Sequence, residues 1–264
     1  MIISVPGFYY AQQGADPFAV HPGQSFEGWG KTEIPMDTSR TAVIVMHLWQ
    51  LPPYEECPAV YGHVEYLARA EKIAKEKLLP FVQTMREKGI RIIHVAAGFE
   101  GTLKTFPGYL RMAEKYPPQN WERIEGSRLH KQLQQTHWRL MGAKTEEQNA
   151  QMDAVYAKYD FAIKPLEHED MVTHTNQLFS LCKEHGIEHL IYTGFAVNAC
   201  LTMSPCGFLD MTRHGIMCSI VGDLTTAVEN RESCTEQRNR EYGLWQFAVQ
   251  SGFVFLSEDL IQKL

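Results

Sequence analysis

The sequence predicts an α/β fold, three layers (α/β/α) built around a six-stranded, mainly parallel sheet, with one helical insertion. Three observations carry this. Short continuous apolar runs recur along the chain, as in TAVIVMHL at 41–48 and RIIHVAA at 91–97. Strands buried on both faces read this way, without polar alternation. Longer amphipathic stretches between them close on Gly89, Gly186 and Gly215, a common stop signal for a helix. One segment, 101–158, interrupts the alternation with polar, helix-prone sequence that carries Trp121 and Trp138.

In chain order, residues 1–40 are rich in glycine, proline and aromatics and show no sustained period. They are expected to form an irregular N-terminal arm. The first strand is 41–48, followed by a helix over 64–88 and the second strand at 91–97. The segment 101–158 is a helical insertion within a single domain spanning 1–264, because strand–helix alternation resumes after it. The run FAIK at 161–164 gives a third strand. A helix over 171–185 sets Leu178, Leu181 and Cys182 on one face. The remaining strands are 189–195, 216–223 and 253–256, with helices over 199–214 and 236–250 between them. Pro205 is expected to kink the first of those helices. Such alternation implies βαβ crossovers. Ligands in these sheets bind at the carboxyl ends of the strands, near the switch in strand order. Function is therefore sought just after Leu48, Ala97, Lys164, Phe195 and Asp223.

Bulk properties narrow the function classes. The chain has 264 residues, of which 44% are hydrophobic and 21% charged, enough for an ordinary core. The net charge of −6 is spread along the chain without a basic block, so no nucleic-acid partner is expected. No apolar run approaches the roughly 20 residues that span a bilayer, and Met1–Gln12 lacks the pattern of a signal peptide. Cys57, Cys182, Cys200, Cys206, Cys218 and Cys234 show neither paired nor metal-type spacing. Reduced thiols and a cytoplasmic location are expected.

Chemistry concentrates in HLIYTGFAVNACL at 189–201. A buried strand ends at Thr193-Gly194, turns, and enters a helix near Cys200, with Asn198 as a plausible N-cap. A first-turn cysteine faces backbone N–H groups and the positive end of the helix, which lowers a thiol pKa from its reference of about 8.5. The same N–H groups suit an oxyanion. The alternative is a buried structural cysteine. Lys164 ends an apolar run where a carboxyl-end site is expected, and is otherwise a solvated lysine. His47 ends the first strand in the same layer, as a base beside a thiol or as a core histidine. His94 lies mid-strand and reads as core. Glu55 and Glu56 follow the first strand as loop carboxylates.

Together these segments resemble the isochorismatase-like cysteine hydrolases. GFAVNAC is similar to the family signature G-V-x-T-x-x-C, FAIKP to its lysine segment, and TAVIVMHLWQ to its first strand, normally A-L-L-V-I-D-x-Q. The resemblance covers most of 41–256 apart from 101–158. It implies a six-stranded parallel sheet between helices, Cys200 as nucleophile, Lys164 as the lysine, and a cis peptide between Phe195 and Ala196. The amides of Ala196 and Cys200 would then form the oxyanion hole. Members that keep the cysteine are nicotinamidases, carbamoylsarcosine amidases and related C–N hydrolases. Two departures stand out. The family aspartate falls at His47, and Val197 stands where threonine is frequent. Nicotinamidases also hold a metal after the second strand. Here the loop reads AAGFEG, with Phe99 and Gly101 at the ligand positions, so neither a metal nor another cofactor is expected.

The resulting expectation is a thiol hydrolase of a small amide or related C–N bond, working through a thioester, with His47 in the aspartate's role. Trp49 and Phe195 would wall the substrate. The alternative is a relative that binds a small molecule or protein without turnover. The insertion is expected to cover the site or to build the interface of a dimer or tetramer.

Overall fold

The computed structural model describes every residue except 51, 98–99, 142–144 and 157–159. Its strands are β1 (Ile2–Ala11), β2 (Gly28–Asp37), β3 (Thr41–Met46), β4 (Trp49–Gln50), β5 (Arg91–Val95), β6 (Asp160–Phe161), β7 (Asp170–Val172), β8 (His189–Gly194), β9 (Met217–Val221) and β10 (Val254–Phe255). The main sheet runs β2-β1-β10-β9-β8-β3-β5-β7. From β10 to β7 every neighbouring pair is parallel.

Strand period explains the layers. Successive side chains point to opposite faces of a strand. In β3, Val43 and Val45 join one apolar cluster, with Leu78, Phe81, Met85 and Leu260. Ala42, Ile44 and Met46 join the other, with Leu178, Leu181, Met211 and Phe247. All six β3 residues are buried. Each large aliphatic one contributes about 1.5–3 kcal/mol relative to exposure. The helices Leu79–Glu87 and Ser257–Lys263 cover the first face, and Thr175–His185, Phe208–Arg213 and Arg238–Gln250 the second. A five-residue π turn, Ala74–Leu78, precedes Pro80 in the first helical layer, where proline removes an N–H from the ladder.

Several sequence expectations are corrected. Residues 1–40 are not an irregular arm. β1 and β2 form a ten-pair antiparallel hairpin, Ile2↔Asp37 through Ala11↔Gly28, which joins β10 at Phe8↔Val254. Pro6 and Pro35 sit inside these strands, which proline permits near a sheet edge. The sheet therefore has eight strands and not six.

The run 161–164 does not enter the main sheet. Phe161 pairs with Trp49 in a separate two-stranded piece, and the edge position falls to β7. The helix expected over 171–185 begins at Thr175. β7 escaped notice because it opens on charge. Asp170 is buried but takes hydrogen bonds from Arg91 and Arg111 at 3.3 and 2.9 Å. Its neighbour Glu169 takes Arg86 at 2.7 and 2.8 Å and His94 Nε2 at 2.9 Å. Burial alone would raise the Glu169 carboxyl, but the bonds from His94, Arg86 and the Leu166 amide outweigh it and hold it down to about 2. For His94 burial wins over Glu169 and lowers the ring's pKa, so a neutral ring donates to the carboxylate.

The segment 101–158 is helical wherever it is described: Glu100–Leu103, Pro107–Lys115, Arg128–Met141 and Glu146–Tyr156. The second of these packs on β7 at Gly108, where an added Cβ would lie 2.1 Å from the Glu169 carbonyl oxygen.

Gly194 has the tightest requirement in the parallel sheet. Its φ is +107°, and a Cβ there would meet the Met46 carbonyl oxygen at 2.1 Å. Gly215 has φ +80° with open space around it. Both alanine variants carry the left-handed backbone cost of about 1–2 kcal/mol, and only Gly194→Ala adds a backbone clash. Urea unfolding should show Gly194→Ala as clearly the less stable of the two. Equal losses would mean that β3 and β8 are not held this closely.

Candidate functional site

The order of the sheet locates the site. β3 is followed in the sequence by β5 on one side, whereas β8 returns on the other. The switch therefore lies between β3 and β8, whose last paired residues are Met46 and Gly194. Crevices at such switches bind ligands, and the residues next in the chain are His47 and Phe195.

His47 is buried, with φ 52°. Its amide bonds the Val95 carbonyl oxygen at 3.1 Å. Its ring stacks on Trp49 at 6.0 Å with planes 14° apart. Among the described residues the buried Nδ1 has no hydrogen-bond partner. Burial pushes the ring down to about 4, so it is neutral at pH 7. His47 borders two spaces. One is a narrow crevice with Trp49, Leu67, Glu71 and Phe195. The other is a 410 Å³ cavity closed by Ala97, Tyr109, Asn120, Thr173, His174 and Ser204. That cavity sits over the carboxyl ends of β3, β5 and β7, with Tyr109 and Asn120 supplied by the insertion.

Cys200 is half-buried and opens a one-turn helix, Cys200–Met203. The long helix expected over 199–214 is two pieces, this turn and Phe208–Arg213, separated at Pro205. Asn198 is not the N-cap. That position is Ala199, without a side-chain bond. Asn198 instead exchanges two 2.9 Å bonds with the Val228 backbone. The Val197 amide bonds the Thr226 carbonyl oxygen at 2.9 Å, and Thr202 Oγ1 caps the Val197 carbonyl. The loop 225–229 is held in turn by Arg69, which reaches Thr226 and Ala227 while gripping Glu65 at 2.6 and 2.8 Å. These contacts fix the turn that carries Cys200.

The Phe195–Ala196 peptide is cis. The Ala196 carbonyl accepts from the amides of Ala199 and Leu201 at 3.1 Å each. No acceptor among the described residues takes the amide N–H of Ala196 or of Cys200. Phe195 is buried beside His47, and its amide bonds the Met46 carbonyl oxygen at 3.3 Å. Ser204, whose amide bonds the Cys200 carbonyl oxygen at 3.1 Å, lines the His47 cavity. The cavity thus reaches within one turn of the cysteine.

Lys164 is exposed, its carbonyl accepts from Arg86 Nη2 at 3.0 Å, and it is not among the residues lining either space beside His47. Glu55 and Glu56 lie in an exposed turn. His94 is core, as expected, through Glu169. Of the loop considered for metal ligands, Phe99 lies outside the described residues and Gly101 lies in the helix Glu100–Leu103.

Sequence reasoning missed the cavity's outer wall. His174 was placed inside a helix, but it is the N-cap of Thr175–His185, with Nε2 3.1 Å from Asn120 Oδ1 and Nδ1 2.8 Å from Thr173 Oγ1. The THTN pattern before an apolar helical stretch was the available signal. Asn120 and Tyr109 gave none, because only the docking of the insertion on β7 brings them over the sheet.

No protein-family model and no curated protein matches the chain. Among solved structures, a cysteine hydrolase from Pseudomonas syringae pv. phaseolicola 1448A is similar at 14% identity, over 87% of this chain and 94% of that one, with a TM-score of 0.50. More distant are an isochorismatase-like hydrolase from Alkaliphilus metalliredigens (16% identity, 86% and 97% covered, TM-score 0.47) and a zinc complex of the pyrazinamidase of Pyrococcus horikoshii (12%, 82% and 99%, 0.47). The first of these likenesses bears on architecture alone, and with the parallel sheet, its strand order and its helical layers the chain has the isochorismatase-like hydrolase fold.

Proposed function

We propose that the protein is a cysteine hydrolase of a small amide or related C–N bond. The observation that carries this is the pair of unengaged amides, Ala196 and Cys200, beside a half-buried thiol at the switch point of the sheet. Backbone N–H donors left without acceptors are what a developing oxyanion needs. In this reading Cys200 Sγ attacks the substrate carbonyl and its proton passes to His47. The amine then leaves with that proton, and water, deprotonated by the same imidazole, releases the acid from the thioester. A neutral imidazole is the competent form, and burial keeps His47 in it. Lys164 is the proposed cation of the site. Trp49, stacked on His47, and Phe195 would form the apolar wall.

A second reading, binding without turnover, is favoured by one specific observation. Among the described residues His47 Nδ1 meets no hydrogen-bond partner, so that nitrogen does not bond Cys200.

Thiol labelling tests the nucleophile. Cys57, Cys182, Cys206 and Cys218 are buried, Cys200 is half-buried and Cys234 exposed. Iodoacetamide on the native protein should mark only Cys200 and Cys234, with Cys200 faster, and Lys164→Ala should slow Cys200 alone. A Cys200 slower than Cys234 would remove the catalytic reading.

Turnover tests the base. A screen of small amides, ureas and carbamates, read by released ammonia, should give activity that Cys200→Ala abolishes and His47→Ala lowers at least about a hundredfold, the usual size of a general-base contribution. His47 loses its basic form only as pH falls through about 4, so the acid limb of kcat/KM should lie near there and not at the ordinary histidine value. No ammonia from any substrate, with Cys200 labelling intact, would favour the second reading.

We also infer a homo-oligomer. The helix Arg128–Met141 buries none of its residues, and Leu129, Leu133 and Leu140 share one exposed face. An amphipathic helix gains its stability from covering that face, and a second copy is the proposed cover. Sedimentation should show a dimer or larger species that Leu133→Glu dissociates. A monomer in both cases would rule this out.

A further inference from the structure

We propose that the substrate carries a ring and a carboxylate, held in a second chamber outside the His47 cavity. The identity of the reacting end rests on the amidohydrolase reading; the existence of the chamber does not. The chamber has a volume of 870 Å³ and shares Asn120, His174 and Pro205 with the His47 cavity. The two spaces are therefore neighbours across one partition. Among the described residues that partition is linked by His174 Nε2 to Asn120 Oδ1 at 3.1 Å. A ligand crossing it would exchange this bond for its own, so both residues would read the middle of the substrate.

The outer walls are aromatic and cationic. Trp121 is 75% exposed, and Phe179 stacks on His214 at 4.1 Å with planes 18° apart. An exposed indole beside a stacked aromatic pair suits a flat apolar body. Arg123 comes from the insertion and Arg213 from the end of Phe208–Arg213. Arg123 has no carboxylate partner among the described residues, and Arg213 meets Asp210 only at 3.5 Å. The other Asp210 oxygen accepts from Thr175 Oγ1 at 2.8 Å. Two guanidinium groups against one carboxylate leave a single positive charge, in a protein whose net charge is −6. That local surplus matches a monoanion, and guanidinium forks fit carboxylates in a bidentate manner. The amide end would then reach under His47 while the carboxylate stays with the arginines.

The probe is 4-carbamoylbenzoate, with its longer homologue 4-(4-carbamoylphenyl)butanoate, against the neutral terephthalamide. Binding to the full-length Cys200→Ser protein is read by calorimetry, so no turnover is required. At least one carboxylate should bind about tenfold or more tighter than terephthalamide. Salt should erode the difference, and the exposed pair Arg123→Gln/Arg213→Gln should abolish it. Trp121→Ala should weaken both carboxylate probes independently of charge. Equal binding of charged and neutral probes, or an advantage that survives in the double arginine variant, overturns the proposal. Turnover of the same probes by the unsubstituted protein separates the two ideas. Carboxylate-selective binding without released ammonia leaves the chamber and removes the hydrolase. Hydrolysis of terephthalamide as efficient as that of the carboxylates, with KM unchanged in the double variant, removes the chamber and leaves the hydrolase.

Discussion

The close approach of β3 and β8 at Met46 and Gly194 is the constraint on which the rest of the site depends. Any side chain on residue 194 would run into the Met46 carbonyl. With glycine there, the Phe195 amide reaches that same carbonyl. Thr193 Oγ1 ties to the Ile44 carbonyl at 2.8 Å, and Thr225 Oγ1 to the Gly194 carbonyl at 2.7 Å. Two chain segments about 150 positions apart therefore leave the sheet side by side. One delivers His47, the other the turn 195–200. That His47 and the turn carrying Cys200 follow neighbouring strand ends is a property of strand pairing.

A second level of support comes from buried charge. The carboxylates of Glu169 and Asp170 would be costly inside a protein without partners. Arg86, His94, Arg91 and Arg111 supply them. Arg111 belongs to the insertion helix Pro107–Lys115, so the same ion pairs that allow a charged edge strand also dock the insertion. The docking places Tyr109 and Asn120 over the carboxyl ends of β5 and β7. The cavity beside His47 is thus shaped in part by residues that never enter the parallel core, and that wall is docked by salt bridges.

What the sequence revealed follows from this division. Strands β3, β5, β8, β9 and β10 were legible because both their faces are apolar, so local composition states their environment. The turn at Gly194 and the position of Cys200 were legible for the same reason, being flanked by buried strand and helix. β7 was not, because its charges are neutralised by residues about 60 to 85 positions away, and no local pattern reports that. β1 and β2 were not, because Val5, Ile34 and Met36 bury only one face of a hairpin that also contains prolines. Pro205 was read as a kink, but with Gly207 beyond it the helix ends and restarts. The His174–Asn120 contact joins a cap to an insertion loop, and neither partner shows it alone.

The histidine at position 47 changes the electrostatic logic of the site. An aspartate there would be anionic and would require a cation close by. His47 is held neutral by burial in a crevice it shares with Leu67, Phe195 and Glu71, so in the resting state it carries no charge to be balanced. Lys164 is exposed, and its backbone carbonyl accepts from Arg86. Charge would then appear only during reaction, when the thiol proton moves to the imidazole and the thiolate and imidazolium stabilise each other. The Cys200–Met203 helix is a single turn, so the macrodipole of a long helix is not on hand to help. In the proposed reading local groups would carry that stabilisation, namely the amides of Ala196 and Cys200 and the imidazolium itself. In the proposed reading, an outer chamber with two arginines would hold an anion while the reaction takes place at His47, so the two tasks would fall to different residues.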